Sequence, residues 1–242
     1  MDFVLYSRIT EKDGIAIADD LGITGGKELP SSRIRTLIRY GNSYSHATYR
    51  PSVVVNRREA IARTVDKQEA TRIFTEHGLS VPEFSEVPPC VGRGRHHTQG
   101  QSFWLCWERS QIRTSKEEGA DYFIKYIPIK QEWRVHVIEG IAKFVQRKYE
   151  QTRVSTSFMG IQGFRDDWHK QVLEPETVNR QIRELAIEAT RALGLDFGAA
   201  DIVISLENDR PYILEVNSGP ALPITTVRLP YLRYFRSKMR GD

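Results

Sequence analysis

Cysteine is scarce in this chain: Cys90 and Cys106 are the only two in 242 residues. They lie in different segments and match no paired metal-ligand spacing, which excludes a disulfide-built scaffold and a zinc ribbon. Read as reduced thiols, they point to packing groups in a cytoplasmic protein. No stretch approaches the roughly 20 apolar residues that span a bilayer. The opening MDFVLYSRITEKDG has no basic start, long apolar run or small-residue cleavage site, so it does not read as a secretion signal. Internal repeats and low-complexity tracts are absent. A strong charge of one sign is lacking too, with 35 Lys and Arg against 31 Asp and Glu, a net +4. Such an excess suits nucleotide phosphates, an acidic tail or nucleic acid, and equally a solvated surface. No recognisable nucleic-acid motif favours that partner. Nor does any convincing Ser–His–Asp or Cys–His arrangement suggest a nucleophilic side chain.

What is present is an ordinary globular composition, 40% hydrophobic and 27% charged, long enough for one core or two lobes sharing a cleft. Strand and helix patterns alternate. DFVLYSR reads as a strand, and DGIAIADDLG as a helix ending at Gly22. TLIRY and Val53 to Val55 read as short strands separated by the polar loop GNSYSHAT. A small α/β unit therefore ends near Asn56. Arg57 to His77 reads as one helix with Ile61, Val65, Ala70, Ile73 and Phe74 as its stripe. PCVGRGRHHTQGQSFWLCWE suggests two strands joined by a glycine-containing loop. Further strands are expected at ADYFIKYI, EWRVHVIEG and AKFVQRKYE. An irregular stretch, RVSTSFMGIQGFRDDW, follows, and long loops in compact domains are often functional. Val178 to Leu193 is an amphipathic helix, and GAADIVISL and PYILEVNS close the pattern around the turn ENDR.

That last strand pair carries the most chemistry. Alternation places Asp201 opposite in facing to Ile202 and Ile204, and puts Ile213, Glu215 and Asn217 on one face. An odd-length turn near Asn208 would bring Asp201 onto the face of Glu215 and Asn217, whereas a two-residue turn would send it away. Three converging oxygen-bearing side chains suit magnesium, which takes one or two carboxylates and completes its shell with water and phosphate. The plainer alternative is an amphipathic hairpin with a wet polar face. The polar turn Asn217-Ser218-Gly219-Pro220, a poor strand extender, weighs against it.

LGLDFGAADIVI, a short turn and PYILEVNSGPAL together resemble the closing signature of the ATP-grasp ligases. That superfamily includes D-alanine–D-alanine ligase, the ribosomal-protein glutamate ligases and tubulin–tyrosine ligase. GNS, VVN and DKQEATRIFTEHGLSVPEF are similar to ATP-grasp proteins often found in phage genomes. The resemblance runs from Asp2 to Leu222. It implies an α/β (α+β) ATP-grasp fold, two lobes clasping ATP behind a short amino-terminal α/β pre-grasp lobe. Residues 1–56 would form that lobe and 57–242 the core, divided into a small lobe to 127 and a large lobe from 128.

The resemblance also implies roles. Asp201, Glu215 and Asn217 fall where the family holds two magnesium ions (manganese could substitute) on the ATP phosphates. Lys67 matches a phosphate-contacting lysine, against the alternative of a surface lysine. Arg93 stands where the family carries a second lysine; its planar fork still supplies the positive charge. The loop GRHHTQG, with His96, His97 and Gly100, would be a flap over the phosphates; a metal site at the adjacent histidines lacks a third ligand at a recognisable spacing. Lys125 would face adenine, the backbone from Tyr126 through Ile127 to Pro128 would bond the purine edge, and Glu132 would hold the ribose. Arg134 and Lys148 would address the transferring phosphate and acyl phosphate; for Glu132 and Arg134 the alternative is a same-face salt pair worth little if exposed.

The implied activity is ATP-driven joining of a carboxylate to an amine, on an amino acid, peptide or protein terminus. Arg8, Asn42 and Ser43 are candidate substrate contacts, because GNS follows a strand in an α/β arrangement. The tail VRLPYLRYFRSKMRGD reads first as a final amphipathic helix packing its aromatics, and otherwise as a docking segment for nucleic acid or an acidic peptide. A nucleic-acid-binding protein and an ATP-binding module without turnover are the competing readings.

Overall fold

All five residues of TLIRY are buried, as a strand flanked by parallel neighbours and covered on both faces requires. This is β3 (Thr36–Tyr40), and its sheet also contains β1 (Asp2–Tyr6), β2 (Thr24–Gly26) and β4 (Val53–Val55) in the order β2-β1-β3-β4, all parallel. Helix α1 (Glu11–Leu21) ends at Gly22, whose φ of 68° lets its N–H reach back to Ala18 and Asp19. Strand order reverses between β1 and β3, so a crevice opens at their carboxyl ends. The computed structural model describes residues 1–44, 50–96, 102–150 and 168–241. His97, Gly100 and the irregular stretch 153–167 lie outside these.

The segment expected as one helix from Arg57 to His77 is two, α2 (Arg58–Val65) and α3 (Lys67–Glu76). Asp66 breaks it: its backbone is extended, and its carboxylate accepts the Glu69 N–H at 3.0 Å as the cap of α3. Hydrophobic spacing runs through the break, which is why periodicity alone misses it. The break places Lys67 at the start of a helix rather than within one.

A three-stranded antiparallel sheet, β5 (Cys90–Arg93), β6 (Phe103–Cys106) and β7 (Tyr122–Lys125), has the order β6-β5-β7. Helix α4 (Arg109–Glu117), unforeseen in the sequence, covers one side. It buries only Ile112 and Ser115, too thin a stripe to register as periodicity, and starts with a capping box between Glu108 and Gln111. The large sheet comprises β8 (Ile129–Ile138), β9 (Ile141–Glu150), β10 (Trp168–Leu173), β11 (Phe197–Ser205) and β12 (Pro211–Asn217), ordered β10-β9-β8-β11-β12 and antiparallel throughout. Its rear face, with Val135, Val145 and Ile202, packs on α5 (Arg180–Ala192) and on Ile61 and Phe74 of α2 and α3. Its front face carries Glu132, Arg134, Lys148 and Asp201 toward one end and Ile138, Phe144 and Phe197 toward the other.

The closing helix α6 (Thr225–Arg240) buries Val227, Tyr231, Leu232 and Phe235, the packing role read first for the tail. Its aromatics join Tyr40 of the first sheet to Phe144 and Phe197 of the large one in a single core. Asn56 fastens the same junction. Fully buried with φ of 58°, it accepts N–H bonds from Asp196 (2.8 Å) and Phe197 (3.2 Å) and donates to the Phe197 carbonyl (3.0 Å). Replacing it with Ala orphans two donors and puts in the left-handed region a residue that lacks the polar side chain by which Asn tolerates it. Asn56→Ala is expected to cost about 3 kcal/mol by urea denaturation, and Asn56→Gly less, since glycine tolerates the backbone.

Candidate active site

The last strand pair reaches its active geometry through a β-bulge. Near the turn, Ile204 pairs with Pro211, Val203 with Tyr212 and Ile202 with Ile213; the register then shifts, and Asp201 pairs with Glu215 and Ala199 with Asn217. Continued without the shift, the pairing would put Asp201 opposite Leu214 and turn Glu215 to the other face. The extra residue, Leu214, restores the facing. The odd turn expected from sequence is thus not the device. Ile213, expected beside Glu215, instead lies in the rear core with Val216.

Registers of the neighbouring strands complete the cluster. Arg134 stands opposite Asp201, and Lys148 opposite Glu132. Arg134 grips Asp201 with two bonds, Nε to Oδ1 and Nη2 to Oδ2, each 2.7 Å. Lys148 bonds Glu132 and lies 3.5 Å from Asp201 Oδ2. Lys67 Nζ lies 3.2 Å from Glu215 Oε2, and Asn217 Nδ2 donates to Glu215 Oε1 at 3.0 Å. The same-face Glu132–Arg134 pair is not what forms; each bonds across strands instead.

Burial would raise the Glu215 carboxyl, but Lys67, the Asn217 hydrogen bond and Arg93 together hold it down at about 2 despite the opposing charge of Asp201. For Glu132 burial wins, and its pKa is raised even beside Lys148. Burial lowers Arg134 and Lys148, while Asp201 and the other acids raise them further, so both stay charged.

The fold of the chain superposes on solved structures. D-alanine–D-alanine ligase from Bacillus anthracis, complexed with ATP, matches with a TM-score of 0.72 at 12% identity, over 99% of this chain and 96% of that one. The chain has the ATP-grasp fold. The ATP-grasp ligase PsnB complexed with a minimal precursor matches at 0.66 and 11% identity, over 98% of this chain and 99% of that one. In sequence, the RimK-like ATP-grasp domain family matches residues 153–228. A probable alpha-L-glutamate ligase of Parasynechococcus marenigrum (strain WH8102) is 29% identical over 194 residues, which is 70% of this chain. The chain spans only 39% of that relative's length.

On this ATP-grasp frame the expected residues separate. Arg93 ends β5 opposite Tyr122, on the face of the small sheet directed at Glu215. Lys125 does not share it: it pairs with Cys90, on the side covered by α4, and is exposed. Lys125 is three residues from Tyr122, an odd step on a strand of period two, so the two face opposite ways. After β7, the Tyr126 N–H is engaged by the Pro89 carbonyl (3.1 Å) and the Pro128 carbonyl by the Leu206 N–H (2.8 Å). Those two groups are engaged within the fold, and the backbone of buried Ile127 lies between them. His96 is exposed, next to residues 97–101, which lie outside the described ones.

Asn42 and Ser43 also prove to be fasteners. Asn42 Nδ2 donates to the Tyr6 (2.9 Å) and Lys27 (3.2 Å) carbonyls and its Oδ1 accepts the Tyr44 N–H (3.0 Å). The Ser43 carbonyl accepts from Arg58 Nε at 2.7 Å. Arg8 is exposed in the loop after β1. That crevice meets the turn after Asn217 directly: a Cβ on Gly219 would lie 2.7 Å from Thr10 Cγ2 and 3.0 Å from Gly41 Cα. Sequence reasoning missed Tyr122, whose buried hydroxyl is bonded to Thr71, one turn after Lys67; burial pushes it up to about 12. Strand alternation from Arg93 through its partner strand was the available signal. Arg95 was missed likewise: it bonds the Asp66 cap of α3 at 2.7 Å.

The donor set suits magnesium. Among the described residues no three His, Cys, Asp or Glu gather as a protein-only cage. Two carboxylates and an amide oxygen on adjacent strands are what a cation sharing its shell with phosphate requires. Because Glu215 is depressed, its stabilising effect is complete above the ordinary 4.5 and is lost as pH falls through about 2. That shift corresponds to about 3 kcal/mol. Thermal melts from neutral to strongly acid pH are expected to show a shallower loss of stability for Glu215→Gln than for the wild type. Glu132→Gln should steepen the loss, since protonation of a raised carboxyl favours the folded state.

Proposed function

We propose that this chain is an ATP-dependent carboxylate–amine ligase that works through an acyl phosphate. The observation that carries the reading is the opposition of Asp201 and Glu215 across a bulged strand pair, with Lys67, Arg134 and Lys148 on the same polar face. Asp201, Glu215 and Asn217 would hold magnesium (two ions in the reading favoured here, with manganese as a substitute), which neutralises phosphate charge when bound. Lys67 and Arg93 would take the phosphates, the Ile127 backbone the purine, and Glu132 the ribose. Arg134 and Lys148 would face the reacting phosphoryl group. The segment containing His96, His97 and Gly100 would serve as the flap.

The chemistry explains the charge. A carboxylate is a poor electrophile because oxide is a very bad leaving group. Its oxygen forms a bond to the γ-phosphorus of ATP as the bond to ADP breaks; the amine then attacks the carbonyl carbon, phosphate departs and the nitrogen loses a proton. Two anions must meet in the first step, so Arg and Lys clamps lower its barrier. Exclusion of water protects the acyl phosphate. A relative named as a probable alpha-L-glutamate ligase, and structural neighbours that are a D-alanine–D-alanine ligase and a ligase complexed with a precursor peptide, support an amino acid, peptide or protein terminus as substrate. Its place would be where the β1–β3 crevice meets Gly219, with Arg8 at the rim. No helix among the described residues is long and apolar enough to cross a membrane.

The test is ADP release with magnesium and a panel of carboxylate and amine pairs, with mass spectrometry of the product. Asp201→Ala and Glu215→Ala are each expected to lower turnover at least about a hundredfold. Undiminished turnover in both would remove the assigned metal site. Nucleotide binding without turnover on any pair would favour the non-catalytic module, and nucleic-acid binding without nucleotide binding the third reading.

A further inference from the structure

Every oxygen of the two opposed carboxylates already accepts from a protein donor. Arg134 takes both oxygens of Asp201 at 2.7 Å. Lys67 takes Glu215 Oε2 at 3.2 Å, and Asn217 takes Oε1 at 3.0 Å. The side chains of the two cations are 13% and 12% exposed, so solvent screens these pairs little. A bare divalent cation approaching the site meets a cluster whose charge is already compensated. A bare triphosphate meets basic groups already committed to carboxylates.

We infer that Lys67 and Arg134 are built-in counterions of the metal carboxylates, so that cation binding and phosphate binding are coupled by exchange of partners. A cation on Asp201 and Glu215 releases Arg134 and Lys67 toward phosphate, and phosphate drawing those side chains away exposes the oxygens to a cation. The inference rests on the ligase reading above, but it concerns binding rather than turnover. The exchange needs no large movement. Lys67 projects from the first residue of α3 and Arg134 from a strand of the same sheet, so each has only to rotate about its own side chain. Such exchange makes the ion and the nucleotide mutually dependent. It also keeps the carboxylates from standing uncompensated in the empty protein, where burial would be costly.

The prediction is a pair of effects opposite to those of an ordinary ligand set. Removing a phosphate-binding cation should tighten the metal: Lys67→Gln is expected to bind Mn²⁺ alone about tenfold more tightly than the wild type, read from loss of the free-ion electron paramagnetic resonance signal. Removing a metal-binding carboxylate should tighten the nucleotide: Glu215→Gln, in chelator, is expected to bind the non-hydrolysable analogue AMPPNP about tenfold more tightly, read by calorimetry. Asp201→Asn repeats the second measurement through Arg134, so a variant that fails to fold by circular dichroism leaves another to decide. If Lys67→Gln binds Mn²⁺ no tighter, or both carboxylate variants bind metal-free AMPPNP no tighter, the exchange is wrong. Failure of the ligase reading would show separately, as a wild-type protein that does not bind AMPPNP even with magnesium.

Discussion

Carboxylates cannot be buried in a protein without something to hold their charge. Desolvation opposes ionisation of Glu215 and Glu132 alike, and the two are treated differently by their neighbours. Glu215 has Lys67, Arg93 and an amide hydrogen bond, and stays ionised far into acid. Glu132, with Lys148 as its bonded partner, does not overcome its burial. The front of the large sheet is accordingly a set of matched charges: Asp201 is opposed in register by Arg134 and Glu132 by Lys148, while Glu215 meets Lys67 from α3. That matching lets a polar face survive in a crevice, and it places the cations where a polyphosphate would want them.

The rest of the architecture keeps this face aligned with its surroundings. Asn56 and the aromatic side of α6 hold the first sheet against the large one, so the β1–β3 crevice opens beside the turn after Asn217. Close approach of Gly41 and Gly219 leaves no room for a side chain at that meeting point. Asp66 ends α2 and caps α3, which puts Lys67 within reach of Glu215 instead of leaving it on a continuous helix. Arg95 and Tyr122 bind the small sheet to the same helix. The lobe that would cover the nucleotide is thereby tied to the lysine that would meet it.

Much of the chemistry was legible in the residues. DIVIS and YILEVNS announced a closing strand pair with oxygen-bearing side chains, EWRVHV and KFVQRK the strands that bring Arg134 and Lys148, and the tail its aromatic stripe. Misreadings arose where local pattern and global register disagree. Lys125 follows a strand pattern whose facing depends on its pairing with Cys90. Asn42 and Ser43 look like exposed loop polars until the carbonyls of Tyr6 and Lys27 and the guanidinium of Arg58 are beside them. Helix α4 buries too little to show a period.

By itself the sequence determined the order of elements, the apolar stripes that bury them and the residue types able to hold cation and phosphate. Those follow from local periodicity and from the chemistry of single side chains. Tertiary structure decided which of these groups face one another. Alternation along a strand is reset by one inserted residue, Leu214, and whether Glu215 looks toward Asp201 or away depends on hydrogen bonds to a strand distant in the chain. Local propensity contains no term for that choice, because its energy belongs to the assembled sheet.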